Sequence, residues 1–389
     1  MGSIKDRVAI AGVGCTKFGE LWEKDAEDLV VEAAYEAMED AGITPHDIEA
    51  SWVGVLYSFT GLSGSTAAEP LKLFGKPATR VENFCASGMD AFRNACYAVA
   101  SGVYDIVLAC GVEKLMDEGS AGLPTGDFAH PVMGSVSAPG MFALAATRCF
   151  HEWGWNKEDL ARVAVKNHKN GVAHPKAHFR RAITMEDALN APMIAWPLGR
   201  FDCCAMSDGA AALIVTRPEI ARTMRHKDDY VLVKANALAV QTVQPMYKGS
   251  FDYLGFPATR SAAAQAYEEA GIRDAAKEIS FAEVHDCFTI TELLNIQDLG
   301  FCEPGKANEF VRDGLADAEE GAIPINPSGG LKCFGHPIGA SGCRMLYEVT
   351  KQIQGRADGI QVKDPRLGLG HNLGGPASVC SVTILGPRD

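Results

Sequence analysis

The sequence predicts an α/β protein made of two halves of similar topology, with a long insertion in the first half. Strand and helix patterns alternate along most of the 389 residues. The helix end at 33–43 and that at 262–272 are both alanine-rich and close with Ala-Gly-Ile, which indicates an internal duplication. Between residues 113 and 200 the alternation breaks over a stretch far longer than an ordinary loop. We therefore expect this insertion to carry function or its own substructure.

Composition limits the functional classes that need to be considered. A formal net charge of −13 argues against a nucleic-acid or anionic-membrane partner. The 12 cysteines show neither the paired spacing of a zinc site nor a C-x-x-C motif, so no metal site is predicted and reduced thiols in a cytoplasm are expected. No signal-peptide pattern opens the chain, and no apolar run approaches the ~20 residues of a membrane helix. His168, His174 and His178 fit no compact metal spacing and are expected to be solvated.

Hydrophobic periodicity places the elements of the first half in order. They are a strand over 8–13, a helix over 25–41, a strand over 52–57, a helix over 91–100 and a buried strand over 105–111. The glycines after the first strand do not match G-x-G-x-x-G, so no dinucleotide loop is predicted. The stretches 197–204 and 207–212 are interpreted as packing and turns and not as catalytic.

The second half repeats the pattern of the first. Its elements are a strand over 231–237, a helix over 259–270, a strand over 279–284, a helix opening near Ser341, and strands over 367–370 and 378–385. Both halves therefore read as alternating strands and helices.

Cys85 is the candidate nucleophile of the chain. Small residues surround it in the stretch 83–90, directly before a predicted helix. The free N–H groups and the dipole of a helix N-terminus favour a thiolate, so we expect a lowered pKa for the Cys85 thiol. The alternative is a buried, inert cysteine. Two distant stretches, His285-Asp286-Cys287-Phe288 and Gly335-His336-Pro337, favour the nucleophile, because one cysteine with two histidines at element ends is typical of thiolate catalysis on a thioester.

These three stretches together resemble the thiolases. Gly335-His336-Pro337 followed by Gly-Ala-Ser-Gly is specific to that superfamily, and His285-Asp286-Cys287-Phe288 resembles the sterol-carrier-protein-2-type subgroup. The resemblance covers nearly the whole chain. It implies the thiolase fold, with duplicated halves at 1–225 and 226–389 in a layered α-β-α-β-α arrangement. It also implies a loop domain at about 115–200 that covers coenzyme A.

The resemblance also implies roles for the site residues. Cys85 is expected to become acylated, and His336 to deprotonate it. His285 and His336 are expected to hold the thioester carbonyl in one oxyanion hole. The backbone N–H groups of Cys85 and of the turn near Gly374 are expected to form the second hole.

The acid/base for the substrate carbon is open between two residues. Most thiolases use a Cys-x-Gly motif near the C-terminus, but here that region reads Gly-His371-Asn-Leu-Gly374 and lacks a cysteine. In the resembling subgroup the cysteine of the His-Asp-Cys-Phe block is thought to take over, which makes Cys287 the first candidate. His371 is the second, because a histidine pKa suits proton transfer at neutral pH. The other interpretation of His371 is a structural histidine.

The implied activity is cleavage of a β-ketoacyl-CoA by CoA, or the reverse Claisen condensation, with CoA as co-substrate and no permanent cofactor. Members of the subgroup act on bulky, branched or aromatic ketoacyl-CoAs, including benzoylsuccinyl-CoA. The alternatives are a retro-aldol lyase acting on a CoA thioester, a synthase with a carboxylate base such as Glu113, and a non-catalytic lipid-binding subunit. The resemblance further implies a homodimer or tetramer, a small OB-fold zinc-binding partner, and a role in degradation.

Several apolar residues are candidates for an acyl pocket, although each could equally be plain core. They are Phe128, Met133, Met141, Phe142, Met246, Tyr247, Phe251 and Phe288.

Overall fold

The computed structural model describes residues 2–118, 129–130, 134–135, 137–242 and 245–388. The strands are β1 (Ala9–Cys15), β2 (Ala50–Gly54), β3 (Ala78–Val81), β4 (Ile106–Glu113), β5 (Ala129–His130), β6 (Gly134–Ser135), β7 (Met193–Ala195), β8 (Leu198–Gly199), β9 (Gly209–Thr216), β10 (Val231–Val240), β11 (Phe281–Val284), β12 (Gly368–Gly374) and β13 (Val379–Pro387). The α-helices are α1 (Ala26–Ala41), α2 (Ser65–Ala68), α3 (Ser87–Ala100), α4 (Ala138–Trp153), α5 (Lys157–Val172), α6 (Met185–Leu189), α7 (Pro218–Ala221), α8 (Pro257–Ala270), α9 (Ala275–Glu278), α10 (Thr289–Asp298), α11 (Ala307–Arg312), α12 (Gly330–Phe334) and α13 (Ile338–Ile353).

The internal duplication is visible in the strand order of the main sheet. Its nine strands run β11-β12-β13-β10-β1-β9-β4-β2-β3. Numbered within its own half, the first half has the order 3-2-4-5-1, which corresponds to β3-β2-β4-β9-β1. The second half has the order 2-4-5-1, which corresponds to β11-β12-β13-β10 and lacks an equivalent of strand 3. That strand is reduced to an isolated bridge between Ala282 and Ile325. The two halves join through a short antiparallel pairing of β1 with β10.

The helices form layers on this duplicated sheet. α1 packs on β1 and β9, and α8 packs in the matching place on β10 and β13. α3 and α13 pack against each other, and α13 also contacts strands of both halves. Because α13 is buried from Ile338 to Gln352, it is a central helix and not a surface one. The predicted duplicated α/β halves are observed in this layered arrangement, whereas the division at residue 225 stays a prediction.

The duplicated helix ends share a physical cause. Gly42 ends α1 with φ 75°, and Gly271 ends α8 with φ 79°. Each glycine N–H donates to a carbonyl of the last helical turn, at Glu39 and Glu268. Glycine tolerates this left-handed conformation at little cost, so the Ala-Gly-Ile pattern marks both stops.

The insertion is more regular than its sequence suggested. It contains two long helices, α4 and α5, while residues 119–128, 131–133 and 136 of the predicted loop domain lie outside the described residues. The expectation of solvated histidines was wrong for His168 and His174. Both are buried, with His168 Nδ1 lying 2.9 Å from the carbonyl of Arg181 and His174 Nε2 lying 3.2 Å from a carboxylate oxygen of Glu348.

Of the stretches interpreted as packing and turns, 197–204 and 207–212, the second is buried as expected, but its residues 209–212 begin β9, an interior strand of the sheet. Its start is a run of glycine and alanine, which are poor strand formers in isolation. Among the described residues, no helix is both long enough and apolar enough to cross a membrane.

Candidate active site

Cys85 lies in a tight turn just before α3, as the sequence predicts. Phe84, the residue before it, has φ 51°, a left-handed conformation that is strained for a bulky side chain. The turn is held by hydrogen bonds from the N–H of Ala86 to the carbonyl of Asn83 and from the N–H of Ser87 to the carbonyl of Phe84. This geometry holds Cys85, a residue of intermediate exposure, at the helix start.

The predicted second oxyanion hole meets Cys85 from the end of β12. Gly374 packs so tightly on this turn that a Cβ there would lie 2.7 Å from the carbonyl oxygen of Asn83. The N–H that donates to the Cys85 sulfur belongs to the next residue, Gly375, which has φ 60°. A residue larger than glycine at position 374 would therefore displace the turn that contains Cys85.

The expected lowering of the Cys85 pKa was wrong. Burial of the thiol raises its pKa to about 12, with the hydrogen bond from Gly375 opposing the shift. Desolvation of the thiolate outweighs the helix N-terminus here. The resting nucleophile is therefore a neutral thiol, and it needs a base at the moment of attack.

His336 is the candidate for that base. It stands between α12 and α13, with its ring almost fully buried. Ser341 Oγ lies 2.7 Å from His336 Nδ1 and 2.9 Å from the carbonyl oxygen of Pro337. Because the single hydroxyl proton of Ser341 goes to that carbonyl, Ser341 accepts from Nδ1–H. Nε2 of His336 then carries a lone pair, and it has no hydrogen-bond partner among the described residues. Burial lowers the pKa of His336 to about 3, so the ring is neutral.

His285 has the complementary arrangement at the end of β11. Asn372 Nδ2 lies 3.1 Å from His285 Nδ1 and donates to it, which leaves the proton on Nε2. Burial and the neighbouring histidines lower the pKa of His285 well below its ordinary value. The two rings lie 5.2 Å apart at nearly right angles. Hence one imidazole offers a lone pair and the other offers a donor.

These residues converge on one point. One ligand-type atom each from Cys85, His285 and His336 lies within 4.8 Å of the others. The three residues come from the start of α3, the end of β11 and the start of α13, so the fold and not local sequence brings them together.

Cys287 follows His285 by two residues and is nearly fully buried. Its carbonyl accepts a hydrogen bond of 2.8 Å from the N–H of Cys204, a cysteine that sequence reasoning did not place in the site. Burial, followed by the charges of Cys204 and Cys85, raises the pKa of the Cys287 thiol well above its ordinary value. Three thiols are thus clustered at the candidate site.

His371 faces away from this group, because neighbouring residues of β12 point to opposite sides of the sheet. Its Nδ1 accepts from the N–H of His285 at 3.3 Å, and its Nε2 lies 3.0 Å from Thr259 Oγ1 on α8. Both ring nitrogens are thereby occupied in the core. The same alternation points Asn372 towards the site, and a period of two along β12 is the signal that could have found it.

Glu113 and Asp286 are buried acids that hold the frame of the site. Glu113 accepts from the backbone N–H groups of Leu56, Tyr57 and Gly339, and burial raises its pKa to about 7. Asp286 accepts from the N–H groups of Leu331 and Lys332 and from Asn167 Nδ2. Since their oxygens are occupied by these donors, both carboxyls anchor helix starts.

A cavity of about 530 Å³ is lined by Cys203 and Cys204, but Cys85 and Cys287 are not among its lining residues. Its apolar lining includes Phe179, Ile194, Phe201, Met206 and Phe288, with Cys204 at one wall. Of the pocket candidates from the sequence, Phe288 lines this cavity and Met141, Phe142 and Met246 belong to the core, with Phe251 packed against it. Phe128, Met133 and the side chain of Tyr247 lie outside the described residues.

Comparisons with known proteins give consistent matches. Residues 8–219 match the family described as thiolase, N-terminal domain, and residues 239–387 match the thiolase C-terminal domain-like family. The chain is 39% identical over 384 residues to the acetyl-CoA acetyltransferase of Methanothermobacter thermautotrophicus, which covers 97% of this chain and 98% of the relative. It is 34% identical over 379 residues to the benzoylsuccinyl-CoA thiolase subunit BbsB of Thauera aromatica, with 96% of each chain covered. A solved structure of the Ltp2-ChsH2(DUF35) aldolase is similar with a TM-score of 0.86 at 28% identity, covering 99% of both chains.

Proposed function

This chain belongs to the thiolase family and is an acyltransferase of the thiolase type, and we propose that its reaction passes through an acyl group carried on Cys85. The observation that carries this proposal is the convergence of Cys85, His285 and His336 within 4.8 Å. A neutral thiol beside a histidine lone pair is the pairing that nucleophilic catalysis on a thioester requires.

In the first step, the Cys85 thiol attacks the β-carbonyl while His336 Nε2 takes its proton. The N–H of Gly375, at the turn of the predicted second hole, opposes the rise in the Cys85 pKa, which supports a role for it as a donor to the forming alkoxide. When the Cα–Cβ bond breaks, the electrons pass to the thioester enolate. His336, now protonated at Nε2, and His285 Nε2–H both donate to its oxygen.

In the second step, an acid protonates the departing carbon, and we propose Cys287 for this role. Its position beside Cys85 supports it, and the engagement of both His371 nitrogens in the core argues for a structural histidine there. Cys287 is then a thiolate and the first acyl-CoA leaves. The thiol of CoA gives its proton to the Cys287 thiolate and attacks acyl-Cys85, which releases the shortened acyl-CoA, and His336 returns its proton to the Cys85 sulfur. Coenzyme A is therefore a co-substrate, and no step needs a permanent cofactor.

We propose a bulky or aromatic ketoacyl-CoA as substrate, cleaved in the direction of degradation. The apolar cavity of about 530 Å³ supports a large acyl group. One relative is named for benzoylsuccinyl-CoA and another for acetyl-CoA, so both acyl sizes belong in the test.

Intact-protein mass spectrometry after mixing with acetyl-CoA and larger acyl-CoAs, benzoyl-CoA among them, tests the proposal. We expect an acyl adduct on the wild type and on Cys302→Ala, a change at another half-buried cysteine, and none on Cys85→Ala. The acyl group retained best indicates the substrate class. An adduct that persists in Cys85→Ala refutes the acyl-Cys85 route. No adduct from any donor on folded wild type favours retro-aldol cleavage, since the Ltp2-ChsH2(DUF35) neighbour is named as an aldolase.

We further propose a homodimer or tetramer that associates with a small OB-fold zinc-binding protein in the cytoplasm. The name of the aldolase neighbour includes a second component, ChsH2(DUF35), and BbsB is named as a subunit. All 12 cysteines are free, which supports a reducing compartment. Light scattering on the purified chain and affinity purification from native cells test these assemblies, and a monomer without a co-purifying small protein would contradict them.

A further inference from the structure

The atoms that perform the proposed chemistry are also metal-ligand atoms. A thiol sulfur and two imidazole nitrogens lie within 4.8 Å of one another, and no other such set of three is found in the described part of the chain. They come from Cys85, His285 and His336, which are far apart in sequence. Because the search for paired cysteine spacing detects only ligands that are close in sequence, it could not find this set.

A second observation points to a ligand at the same place. His336 is 1% exposed, yet its Nε2 has no hydrogen-bond partner among the described residues. Its Nδ1–H is fixed on Ser341 Oγ at 2.7 Å. A histidine with one nitrogen anchored by a hydrogen bond and the other left as a free lone pair has the arrangement of a metal ligand.

His285 can adopt the same arrangement with one local change. At present Asn372 Nδ2 donates to His285 Nδ1, and Asn372 Oδ1 has no partner within the described residues. If the amide rotates by half a turn, Oδ1 accepts from Nδ1–H and the lone pair moves to Nε2. Asn372 thus stabilises either tautomer of His285, one suited to donating to an oxyanion and one suited to binding a metal.

We propose that Cys85, His285 and His336 bind Zn²⁺ in the resting enzyme and that the bound ion reversibly blocks acylation. Tetrahedral zinc with Zn–S of about 2.3 Å and Zn–N of about 2.0–2.1 Å places its ligand atoms about 3.3–3.6 Å apart. From a separation of at most 4.8 Å, the farthest pair of ligand atoms has to approach by up to about 1.2–1.5 Å. Three protein ligands leave the fourth position for water.

The chemistry of the donors selects the ion. One thiolate and two neutral imidazoles suit Zn²⁺, Cd²⁺ or Co²⁺, whereas Mg²⁺ and Ca²⁺ prefer oxygen ligands. On binding, the Cys85 thiol loses its proton to solvent and the sulfur lone pair goes to the metal. The sulfur is then unavailable to a carbonyl carbon. This inhibitory consequence rests on the proposed role of Cys85, but metal binding itself does not.

The test measures metal directly on the chelator-treated full chain. We expect Co²⁺ to bind with a stoichiometry of one and to give the charge-transfer absorption of a cobalt–thiolate bond. Isothermal titration with Zn²⁺ in two buffers of different ionisation enthalpy should reveal about one proton released per ion. Affinity should fall at least tenfold in Cys85→Ser and in His336→Ala, while Cys302→Ala should bind as the wild type does. Circular dichroism verifies that each variant is folded.

The outcomes separate this inference from the proposed function. Equal binding by wild type and Cys85→Ser, or no binding by wild type, overturns the metal site. Acyl adducts are measured on the same protein with and without Zn²⁺, and we expect the ion to abolish them and EDTA to restore them. If the metal binds through Cys85 but the metal-free enzyme, after treatment with EDTA, forms no acyl adduct, the metal site stands and the acyl-Cys85 proposal fails.

Discussion

Replacing Ser341 by alanine removes one oxygen atom and tests the proposed role of His336. Ser341 is fully buried, and its Oγ is the acceptor that keeps the proton of His336 on Nδ1. The alanine variant retains the helix and the neighbouring glycines. What changes is the nitrogen that carries the imidazole proton.

The magnitude follows from the cost of an unmet hydrogen bond. A buried donor without an acceptor costs about 1–3 kcal/mol. The ring of His336 avoids this cost by moving its proton to Nε2, and that tautomer cannot accept the thiol proton of Cys85. Since roughly 1.4 kcal/mol corresponds to a tenfold change in rate, we expect acylation to slow about 5- to 150-fold. The free energy of unfolding should fall by no more than about 1–3 kcal/mol.

Acylation rates come from quenched mixing followed by intact mass, and stability comes from thermal unfolding. Thr216→Val is the matched control, since Thr216 is buried and its hydroxyl donates to the carbonyl of Asp105 at 2.7 Å. Thr216 lies at one end of β9, whereas Gly209, the residue that pairs with Glu113 of β4, lies at the other end. The control should lose stability and keep its acylation rate. If Ser341→Ala also acylates at the wild-type rate, hydroxyl control of the His336 tautomer is refuted.

Three further predictions follow from the buried site. The pKa of His336 is about 3 in the folded protein, below its ordinary value of ~6.5. The contribution of the neutral ring to stability is therefore full above pH ~6.5 and is lost as the pH falls towards 3. The rate of Cys85 alkylation should show no inflection near pH ~6.5, and an inflection there would contradict a neutral pair of Cys85 and His336. Cys287→Ala should still form the acyl adduct but exchange Cα hydrogens of acetyl-CoA about 10²–10⁴-fold more slowly, whereas His371→Gln should mainly lower the melting temperature, and the reverse result would exchange their roles. Gly88→Ala should fail to accumulate as folded protein, because its Cβ would lie 2.4 Å from a backbone oxygen of α13, and a folded variant of wild-type melting temperature would contradict that packing.

Sequence alone predicted the duplicated frame because its signals are local. The Ala-Gly-Ile helix stops and the apolar periodicity of α1 and α8 depend on neighbouring residues only. The insertion escaped prediction for the opposite reason. α5 buries Lys166 and Asn167, whose side chains hydrogen-bond to residues that are between 119 and 159 positions away in the sequence. The polar composition of this segment therefore does not indicate a loop.

Sequence motifs pointed to Cys85, His285 and His336, and the structure brings these three residues together, but their protonation was not predicted. The expected low pKa of Cys85 came from the helix N-terminus, a local effect, whereas the observed rise comes from burial by distant segments. Asn372 was missed because its contact with His285 spans 87 positions.

A neutral resting site has a consequence for how the enzyme gains rate. If the thiolate and imidazolium were stabilised before substrate arrives, that stabilisation would be shared by the ground state and would not lower the barrier. Here burial disfavours both ions, and the N–H groups of Gly375 and His285 are the donors proposed for the negative charge that forms. The charge pair is therefore favoured only once the carbonyl oxygen takes up the electrons. A soft cation can bind the same sulfur and the two neutral rings, and it therefore competes with the substrate for this site.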